Sequence, residues 1–177
     1  LLGGERSMLA SLSAVLAGFE VRVAAPPDGL LAATLRQRGI AHAPWRTHDE
    51  QGERLSLVQL RAELGVLIDR ERPDLVHANS LSTSRIAGPV AAECGLPSIG
   101  HLRDIAKLSR QVVDDLNRHQ RLIAVSQATR DFHVGQGLEA AKCVVVHNGV
   151  DLEEIRPRPR TGYLHRELNL PRATRLI

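Results

Sequence analysis

The segment RLIAVSQATRDFHVGQGLEAAKCVVVHNGVD, residues 121–151, carries the clearest structural pattern of the chain. An apolar run at residues 122–125 ends at Ser126 and is followed by a helical pattern, which is typical of a buried strand in a parallel sheet. Ser126 is therefore predicted to lie at the strand tip, where a serine can also cap the next helix. After two glycines, the valine-rich residues 143–146 form a second strand that ends in an Asn-Gly turn. This order predicts a parallel sheet with helices on both faces.

The same alternation continues towards the N-terminus. Apolar positions between Met8 and Phe19 follow the three-four spacing of one buried helix face. Residues 45–53, from Trp45 to Glu53, are polar and turn-rich, and they predict a mobile surface loop of the kind that often contacts substrates. The remaining pattern predicts strands at residues 20–25, 40–44, 74–80 and 98–104, and helices at residues 30–38, 55–72, 81–94 and 107–118.

The composition argues against a nucleic-acid-binding protein. The chain has 177 residues, of which 43% are hydrophobic, and this fits one soluble domain with a full core. Aromatic residues make up only 2%, which argues against a surface that stacks nucleic-acid bases. The net charge of +3 is mild, and the arginines alternate with acids along predicted helices instead of forming a basic stripe. No nucleic-acid partner is therefore expected.

The cysteines and histidines do not predict a metal site. Cys94 and Cys143 lie among apolar neighbours, so both are predicted to be buried thiols of a reducing compartment. No group of His, Cys or Asp has the spacing of metal ligands. No apolar run approaches the ~20 residues of a membrane span, and no signal peptide is recognisable. We therefore expect a cytoplasmic protein without a bound metal.

Four motifs occur in a characteristic order. They are Gly3-Gly4 before a helix, PDLVHANS at residues 73–80, AVS at residues 124–126 and NGVD at residues 148–151. In this order they resemble the N-terminal domain of the family 4, retaining GT-B glycosyltransferases. Two positions depart from the usual family pattern, since His147 stands where proline is common and Asn79 where histidine is frequent.

The resemblance implies a domain organisation. Residues 1–151 are expected to form the Rossmann-like, acceptor-side domain, whose first strand is missing before Gly3. Residues 152–177 are expected to be a linker and the start of a truncated C-terminal domain. In this family that second domain supplies most contacts to the sugar nucleotide. The fragment is therefore expected to be inactive alone.

The resemblance also implies an activity. The parent protein is expected to transfer a sugar from a nucleotide-sugar donor to a hydroxyl acceptor, with retention of configuration and without a metal or other cofactor. The acceptor is a sugar, a lipid or a small molecule, and peripheral contact with the inner face of the membrane stays open. Two alternatives also stay open: a GT-B sugar-nucleotide epimerase, and a non-catalytic α/β ligand-binding module, since a fold does not fix a function.

The candidate site follows from the sheet. Ligands of open α/β sheets bind beyond the carboxyl ends of the strands, so the polar residues at the predicted strand tips should converge. Retaining transfer needs a stabilised diphosphate and a held acceptor hydroxyl, which a histidine or a carboxylate at a strand tip can assist. Arg103 suits a phosphate or an acidic acceptor, whereas His77 is either an acceptor contact or a hydrogen-bonded strand-end residue. With the resemblance, the predicted set comprises His101 and Asp104 as catalytic residues, Gly3 and Gly4 for the donor diphosphate, and His77, Asn79, Ser80, Arg103, Ser126 and Asn148 in the acceptor cleft.

Overall fold

Strands and helices alternate along the chain in this computed structural model, which describes residues 3–150, 152–153, 155–157, 159 and 161–176. The helices are α1 (Gly3–Leu16), α2 (Leu30–Gln37), α3 (Leu57–Glu71), α4 (Leu81–Glu93), α5 (Arg110–Leu116), α6 (Gln127–Val134) and α7 (Tyr163–Glu167), with a 3-10 turn at Ala140–Lys142. The strands are β1 (Arg22–Ala25), β2 (Ala41–Pro44), β3 (Val76–His77), β4 (Ser98–Leu102), β5 (Arg121–Ala124) and β6 (Cys143–Val145).

All strand pairs between these elements are parallel. Strands β1 and β2 form one sheet, and a second sheet has the order β3-β4-β5-β6. Consecutive strands of the second sheet are neighbours, and each is joined to the next through a helix, as a parallel pair requires. This arrangement confirms the predicted parallel α/β class. The strand expected before Gly3 falls outside the described residues.

Serine caps fix where four helices begin. The capping serines are Ser56 at α3, Ser80 at α4, Ser109 at α5 and Ser126 at α6, and each side chain accepts a hydrogen bond from the backbone N–H three residues on. At α4 the cap is reciprocal, because Thr83 accepts a hydrogen bond from the Ser80 backbone N–H at 3.0 Å. Such caps contribute about 1 kcal/mol each. They place the start of a helix directly beyond β3 and β5.

The core consists of three apolar clusters. The first joins α1, β1 and α2 through residues such as Leu12, Val23 and Leu35. The second lies among β2, α3 and α4, and the third among α5, β5 and β6. Each fully buried leucine contributes roughly 1.5–3 kcal/mol through its apolar surface. Helix α4 supplies Ile86 and Val90 to the second cluster, and Leu81 packs against the third.

Two glycines allow close packing around a buried histidine. A Cβ on Gly88 of α4 would lie 2.5 Å from the carbonyl oxygen of Asp115, and one on Gly100 of β4 would lie 2.7 Å from Leu122 Cδ2. His119 has no exposed surface. Its Nδ1 is 2.8 Å from Ser98 Oγ and its Nε2 donates to the Ser84 carbonyl at 2.9 Å. His119 therefore packs in the core and connects α4 to β4 through hydrogen bonds.

Several elements are shorter than the sequence pattern predicts. Of the predicted strand 74–80, residues 76–77 form β3 and the Ala78 N–H still pairs with the Ile99 carbonyl, but pairing ends there because the Asn79 carbonyl accepts a hydrogen bond from the Arg103 side chain. Helix α5 begins at Arg110, where the Ser109 side chain caps it, because Gln136, two residues beyond α6, binds the backbone at residues 106 and 108 and holds that segment outside the helix.

Three burial predictions were wrong. Trp45 is only 7% exposed, because its N–H continues the pairing with β1 at Ala25 and its ring joins the second cluster. Cys94 is exposed at the C-terminal end of α4, whereas Cys143 is buried as predicted. The predicted buried face of α1 is buried at Leu9 and Leu12 but not at its end, where Val15, Leu16 and Phe19 are 39%, 42% and 67% exposed, since α1 ends at Leu16 and the chain then leaves the core.

The division into residues 1–151 and 152–177 stays a prediction, and Asp151 lies outside the described residues. Within the described part of residues 152–177, α7 is the one regular element. Among the described residues, no helix has the length and apolar character that a membrane span requires.

Candidate functional site

Arg103 lies just beyond β4 and organises the ends of several elements. Its Nε donates to the Asn79 carbonyl at 2.8 Å, and Nη2 donates to Asn79 Oδ1 at 2.6 Å and to His101 Nδ1 at 3.3 Å. Its Nη1 donates to Ser7 Oγ at 3.2 Å and to Asn148 Oδ1 at 3.1 Å. These five residues, Ser7, Asn79, His101, Arg103 and Asn148, are called the Arg103 cluster below.

Two further hydrogen bonds close the Arg103 cluster. Ser7 Oγ donates to Asn148 Oδ1 at 2.9 Å, and Asn79 Nδ2 donates to the Gly4 carbonyl at 2.9 Å. Ser7 and Gly4 lie in the first turns of α1, whereas Asn148 follows β6. The cluster therefore joins the first helix of the chain to the ends of three strands.

The guanidinium of Arg103 has all its donors engaged. An arginine side chain has about five N–H bonds, and each of them is directed at a protein acceptor here. All of these acceptors are neutral, and Arg103 forms no salt bridge with a described carboxylate. Burial lowers the pKa of Arg103, and the nearby charge of Asp104 partly opposes this shift. The cluster thus holds a positive charge that no hydrogen-bonded carboxylate neutralises.

His101 is held from its backbone and from its ring. The backbone N–H donates to Ser84 Oγ at 2.9 Å, and Ser84 Oγ donates to the Ser80 carbonyl at 2.7 Å. The imidazole stacks on His77 with 5.7 Å between ring centroids and 14° between planes. The residue is only 9% exposed. Its position is therefore fixed by α4, by β3 and by Arg103.

The hydrogen bonds of His101 define its tautomer. Because a guanidinium only donates, Nδ1 must accept the bond from Arg103, and the ring proton lies on Nε2. Burial, then the charge of Arg103, then that of His77 lower the pKa of His101 to about 4. The buried Nε2 has no hydrogen-bond partner among the described residues. His101 is therefore a neutral ring at neutral pH, and its one ring N–H has no partner among the described residues.

Desolvation and the Arg103 charge also lower the pKa of His77, although this residue is exposed. Its side chain makes no hydrogen bond with a described residue, and its one ring contact is the stack on His101. Because a proton on either ring would repel the other and Arg103, the pair is held neutral. His77 thus covers one face of His101.

Asp104 lies outside the Arg103 cluster. Its backbone carbonyl accepts a hydrogen bond from Nε2 of the fully buried His133 at 2.8 Å. The residue is exposed, and it lines a groove between the first turns of α3 and α4 and the loop from β4 to α5. The groove has a volume of about 550 Å³. Asp104 thus lies beside the cluster, without hydrogen-bonding to it.

The predicted site residues divide into two groups. Gly4, His77, Asn79, His101, Arg103 and Asn148 contact one another, and Ser80 supports His101 through Ser84. Ser126 caps α6, and Gly3 begins α1; neither hydrogen-bonds to the cluster. Their functional roles stay predictions. Among the described residues, no group of three His, Cys, Asp or Glu side chains is arranged to hold a metal ion.

Sequence reasoning missed two members of the site. Ser7 connects Arg103 to Asn148, and Ser84 fixes the backbone of His101. Ser84 is recoverable in principle, because it lies one helical turn after Ser80 on the inward face of α4. Ser7 lies next to the apolar positions of α1, and its residue type gives no signal of its role.

A parallel α/β sheet with polar side chains gathered beyond its strand ends defines a Rossmann-like ligand-binding domain. The sequence model of Glycosyltransferase Family 4 matches residues 5–154. The chain therefore belongs to glycosyltransferase family 4. No curated protein matches it significantly by sequence.

Several solved structures share the fold of this chain. The chain aligns with Anabaena HepE (Alr3699) in complex with UDP at a TM-score of 0.73 and 22% identity, over 95% of this chain and 47% of HepE. It aligns with MurG of Acinetobacter baumannii at a TM-score of 0.63 and 16% identity, over 84% of this chain and 42% of MurG. The chain also aligns with the UDP-N-acetylglucosamine 2-epimerase of Rickettsia bellii at a TM-score of 0.59 and 13% identity, over 97% of this chain and 49% of the epimerase. The chain thus spans about half the length of these proteins.

Proposed function

We propose that the protein containing this chain transfers a glycosyl group from a nucleotide-sugar donor to a hydroxyl acceptor, with retention of configuration and without a metal. The observation that carries this proposal is the Arg103 cluster, in which a guanidinium without a hydrogen-bonded carboxylate lies beside the His101 Nε2–H, which has no partner among the described residues. A leaving nucleoside diphosphate is anionic, so a fixed cation and fixed donors nearby stabilise the transition state. Family membership and the structures of HepE with UDP and with UDP-glucose support the donor class.

The start of α1 is proposed to face the diphosphate. A Cβ on Gly3 would meet no atom within 4 Å, and one on Gly4 would lie 3.5 Å from Arg103 Cδ, which is an ordinary contact. Packing within the protein therefore does not require glycine at either position. A ligand that approaches the backbone closely does favour glycine, and the N-terminus of a helix favours an anion.

His101 is proposed to act as a hydrogen-bond donor. A histidine with a pKa of about 4 is a weak base at neutral pH, so it is poorly suited to remove the acceptor proton. Its neutral Nε2–H can instead hold a sugar hydroxyl or a phosphate oxygen. Retention requires the acceptor to attack the face that the diphosphate leaves, so both groups must be held on the same side of the sugar. Asp104 is proposed to orient the acceptor hydroxyl from the groove side.

An epimerase is the second candidate, because the fold also matches a UDP-N-acetylglucosamine 2-epimerase. Both activities use a nucleotide sugar, but they differ in the product. A transferase makes a new glycoside and free nucleotide, whereas an epimerase returns an altered nucleotide sugar. Family 4 membership favours the transferase. A cytoplasmic location of the reaction is part of the proposal.

The test uses the full-length gene product. UDP-, GDP- and ADP-sugars are screened for turnover with the wild type, His101→Ala and His101→Gln, with His42→Gln in β2, outside the proposed site, as the matched control. We expect His101→Ala to lower kcat about 100-fold. Glutamine places an amide N–H near the former Nε2, so His101→Gln should recover part of this loss. His42→Gln should match the wild type.

The anomeric configuration of the product, followed by NMR, tests retention, and turnover in excess EDTA tests metal independence. The chain of 177 residues alone is expected to give no turnover. A wild-type full-length protein that neither binds nor cleaves a nucleotide sugar would contradict the proposal. Equal activity of His101→Ala and the wild type would remove His101 from the mechanism.

A further inference from the structure

The groove beside the Arg103 cluster has an apolar lining. Leu57 and Leu60 of α3, Leu81 and Ile86 of α4, and Leu108 before α5 contribute to it. Its volume of about 550 Å³ is in the range of pockets that hold small organic molecules. Leucine side chains form no hydrogen bonds with a sugar, so this surface suits a hydrocarbon better than a carbohydrate.

Three cations and one carboxylate line the same groove. Arg54 donates to Ser82 Oγ at 3.1 Å, whereas the side chains of Arg85 and Lys107 form no hydrogen bond or ion pair within the described part of the chain. The Nε of Arg85 is buried and has no partner among the described residues. Asp104 is the carboxylate. Buried donors are normally paired, and an anion in the groove would lie beside this guanidinium.

The groove also receives the N-terminus of α4, a helix of 13 residues that starts beyond Ser80. Its partial positive charge adds to that of the three cations. A phosphate suits this combination, because arginine and helix N-termini are both frequent phosphate ligands.

The groove and the Arg103 cluster are adjacent. Ser80 and Asp104 line the groove, and each directly follows a cluster residue, Asn79 and Arg103. Neighbouring Cα atoms are about 3.8 Å apart. The groove therefore begins beside the cluster, and we place the acceptor there on that adjacency.

We propose that this groove binds the acceptor, and that the acceptor is an amphiphile with a hydrocarbon chain and a phosphate group. The hydrocarbon packs on the leucines, and the phosphate pairs with Arg54, Arg85 and Lys107. The assignment of this molecule as acceptor rests on the proposed transferase function. The binding of a phosphate amphiphile in the groove is measurable without that function.

The test measures binding to the chain of 177 residues by isothermal titration calorimetry, with ligands below their micelle concentration. The probes are decyl phosphate, ethyl phosphate and the neutral decyl glucoside. Decyl phosphate should bind at least ten times more tightly than either of the others, because only it satisfies both the apolar and the cationic lining. Amide shifts in NMR spectra should map to residues 54–57, 80–86 and 104–109.

Variants show whether binding depends on the groove residues or on positive surface charge in general. Lys107→Gln and Arg54→Gln alter exposed residues and should each weaken decyl phosphate about fivefold, as one lost partly solvated ion pair predicts. Arg110→Gln is the matched control, since Arg110 is exposed nearby and does not line the groove. It should stay within twofold of the wild type. Thermal unfolding of each variant verifies that it is folded.

Three results would overturn the inference. They are equal affinity for decyl phosphate and decyl glucoside, equal effects of Lys107→Gln and Arg110→Gln, and binding to phosphatidylglycerol vesicles without binding to monomeric decyl phosphate. The last result would indicate a membrane-docking surface. Turnover of a nucleotide sugar with a neutral, phosphate-free acceptor would keep the transferase function and reject only the acceptor class.

Discussion

At the scale of single residues, His101 shows how position changes chemistry. Its ring lies between Arg103 and His77, is 9% exposed and has a pKa of about 4. A proton on this ring would be buried next to a guanidinium, which costs free energy. The sequence identifies a histidine at a strand end, but only the packed structure shows that the histidine is neutral.

The low pKa of His101 predicts acid-sensitive stability. The unfolded chain binds a proton near pH 6.5, whereas the folded chain stays neutral until about pH 4. Stability should therefore be unaffected above pH 6.5 and fall as the pH drops from 6.5 to 4. By pH 5 the expected loss from His101 is about 2 kcal/mol of unfolding free energy. Urea unfolding at pH 7.5 and pH 5 measures it, above the range in which most carboxylates titrate.

The variant His101→Gln should reduce this pH dependence, because it removes the titrating ring. His77 and His119, whose pKa values are also lowered, act in the same direction and should leave a residual slope. An unchanged slope in His101→Gln would show that His101 titrates similarly in the folded and unfolded chains.

At this scale, sequence reasoning found residues by their place at strand ends. His101, Arg103 and Asn148 follow from that rule, because parallel strands bring their carboxyl ends together. Ser7 does not, since its partners lie 96 and 141 residues away along the chain. A serine in a helix gives no local sign of such distant contacts.

At the scale of secondary structure, α1 combines a structural and a proposed binding role. Its first turn carries Gly4, whose carbonyl accepts from Asn79. Glycine is a weak helix former, costing about 1 kcal/mol relative to alanine. A helix that begins with two glycines therefore gives up stability, and the proposed diphosphate contact accounts for this loss.

The variant Gly4→Ala should weaken donor binding without lowering the stability of the protein. The added Cβ would lie 3.5 Å from Arg103 Cδ, so unfolding free energy should stay equal or rise by up to about 1 kcal/mol. Donor affinity should fall at least tenfold, because the methyl group occupies the proposed diphosphate position. Urea unfolding and nucleotide-sugar binding to the full-length protein measure the two quantities.

Gly65→Ala is the control, since Gly65 lies within α3 and its added Cβ would be 4.0 Å from the nearest atom, Val90 Cγ1. This variant should show the same gain in stability and unchanged donor affinity. If Gly4→Ala also kept full donor affinity, the proposed approach of the diphosphate to α1 would be wrong.

The elements themselves were largely predictable, because apolar periodicity and serine caps are local signals. Ser80 and Ser126 cap their helices as their positions suggest. The burial of Trp45 was not predictable from its polar neighbours, since it depends on pairing with β1 and on contact with α3. The late start of α5 likewise depends on Gln136, which lies in the turn after α6.

At the scale of the whole molecule, α4 connects the parts of the domain. It packs on α3, β4 and α5, and it contributes to the second core cluster. At Gly88 it packs closely against Asp115 of α5. The order of the motifs predicted the family and the fold. The packing of α4 against α3, β4 and α5 was not predictable, because it depends on distances that no sequence motif encodes.

The variant Gly88→Ala should destabilise the entire domain. Its Cβ would lie 2.5 Å from the carbonyl oxygen of Asp115, so α4 and α5 would have to separate. The expected loss is about 3 kcal/mol of unfolding free energy, measured by urea unfolding. Gly65→Ala, a glycine-to-alanine change without a close contact, should be neutral or stabilising. Equal stability of the two variants would show that the helices adjust without cost.

The hydrogen bond between Ser7 and Asn148 has a consequence for folding kinetics. It joins residues separated by 141 positions, and Arg103 links the same two ends to the middle of the chain. Closing such a long loop costs entropy before any contact compensates for it. The proposed binding site is therefore completed late in folding, after the local helices and strand pairs have formed. A nascent or partly folded chain would have no complete site with which to capture a nucleotide sugar.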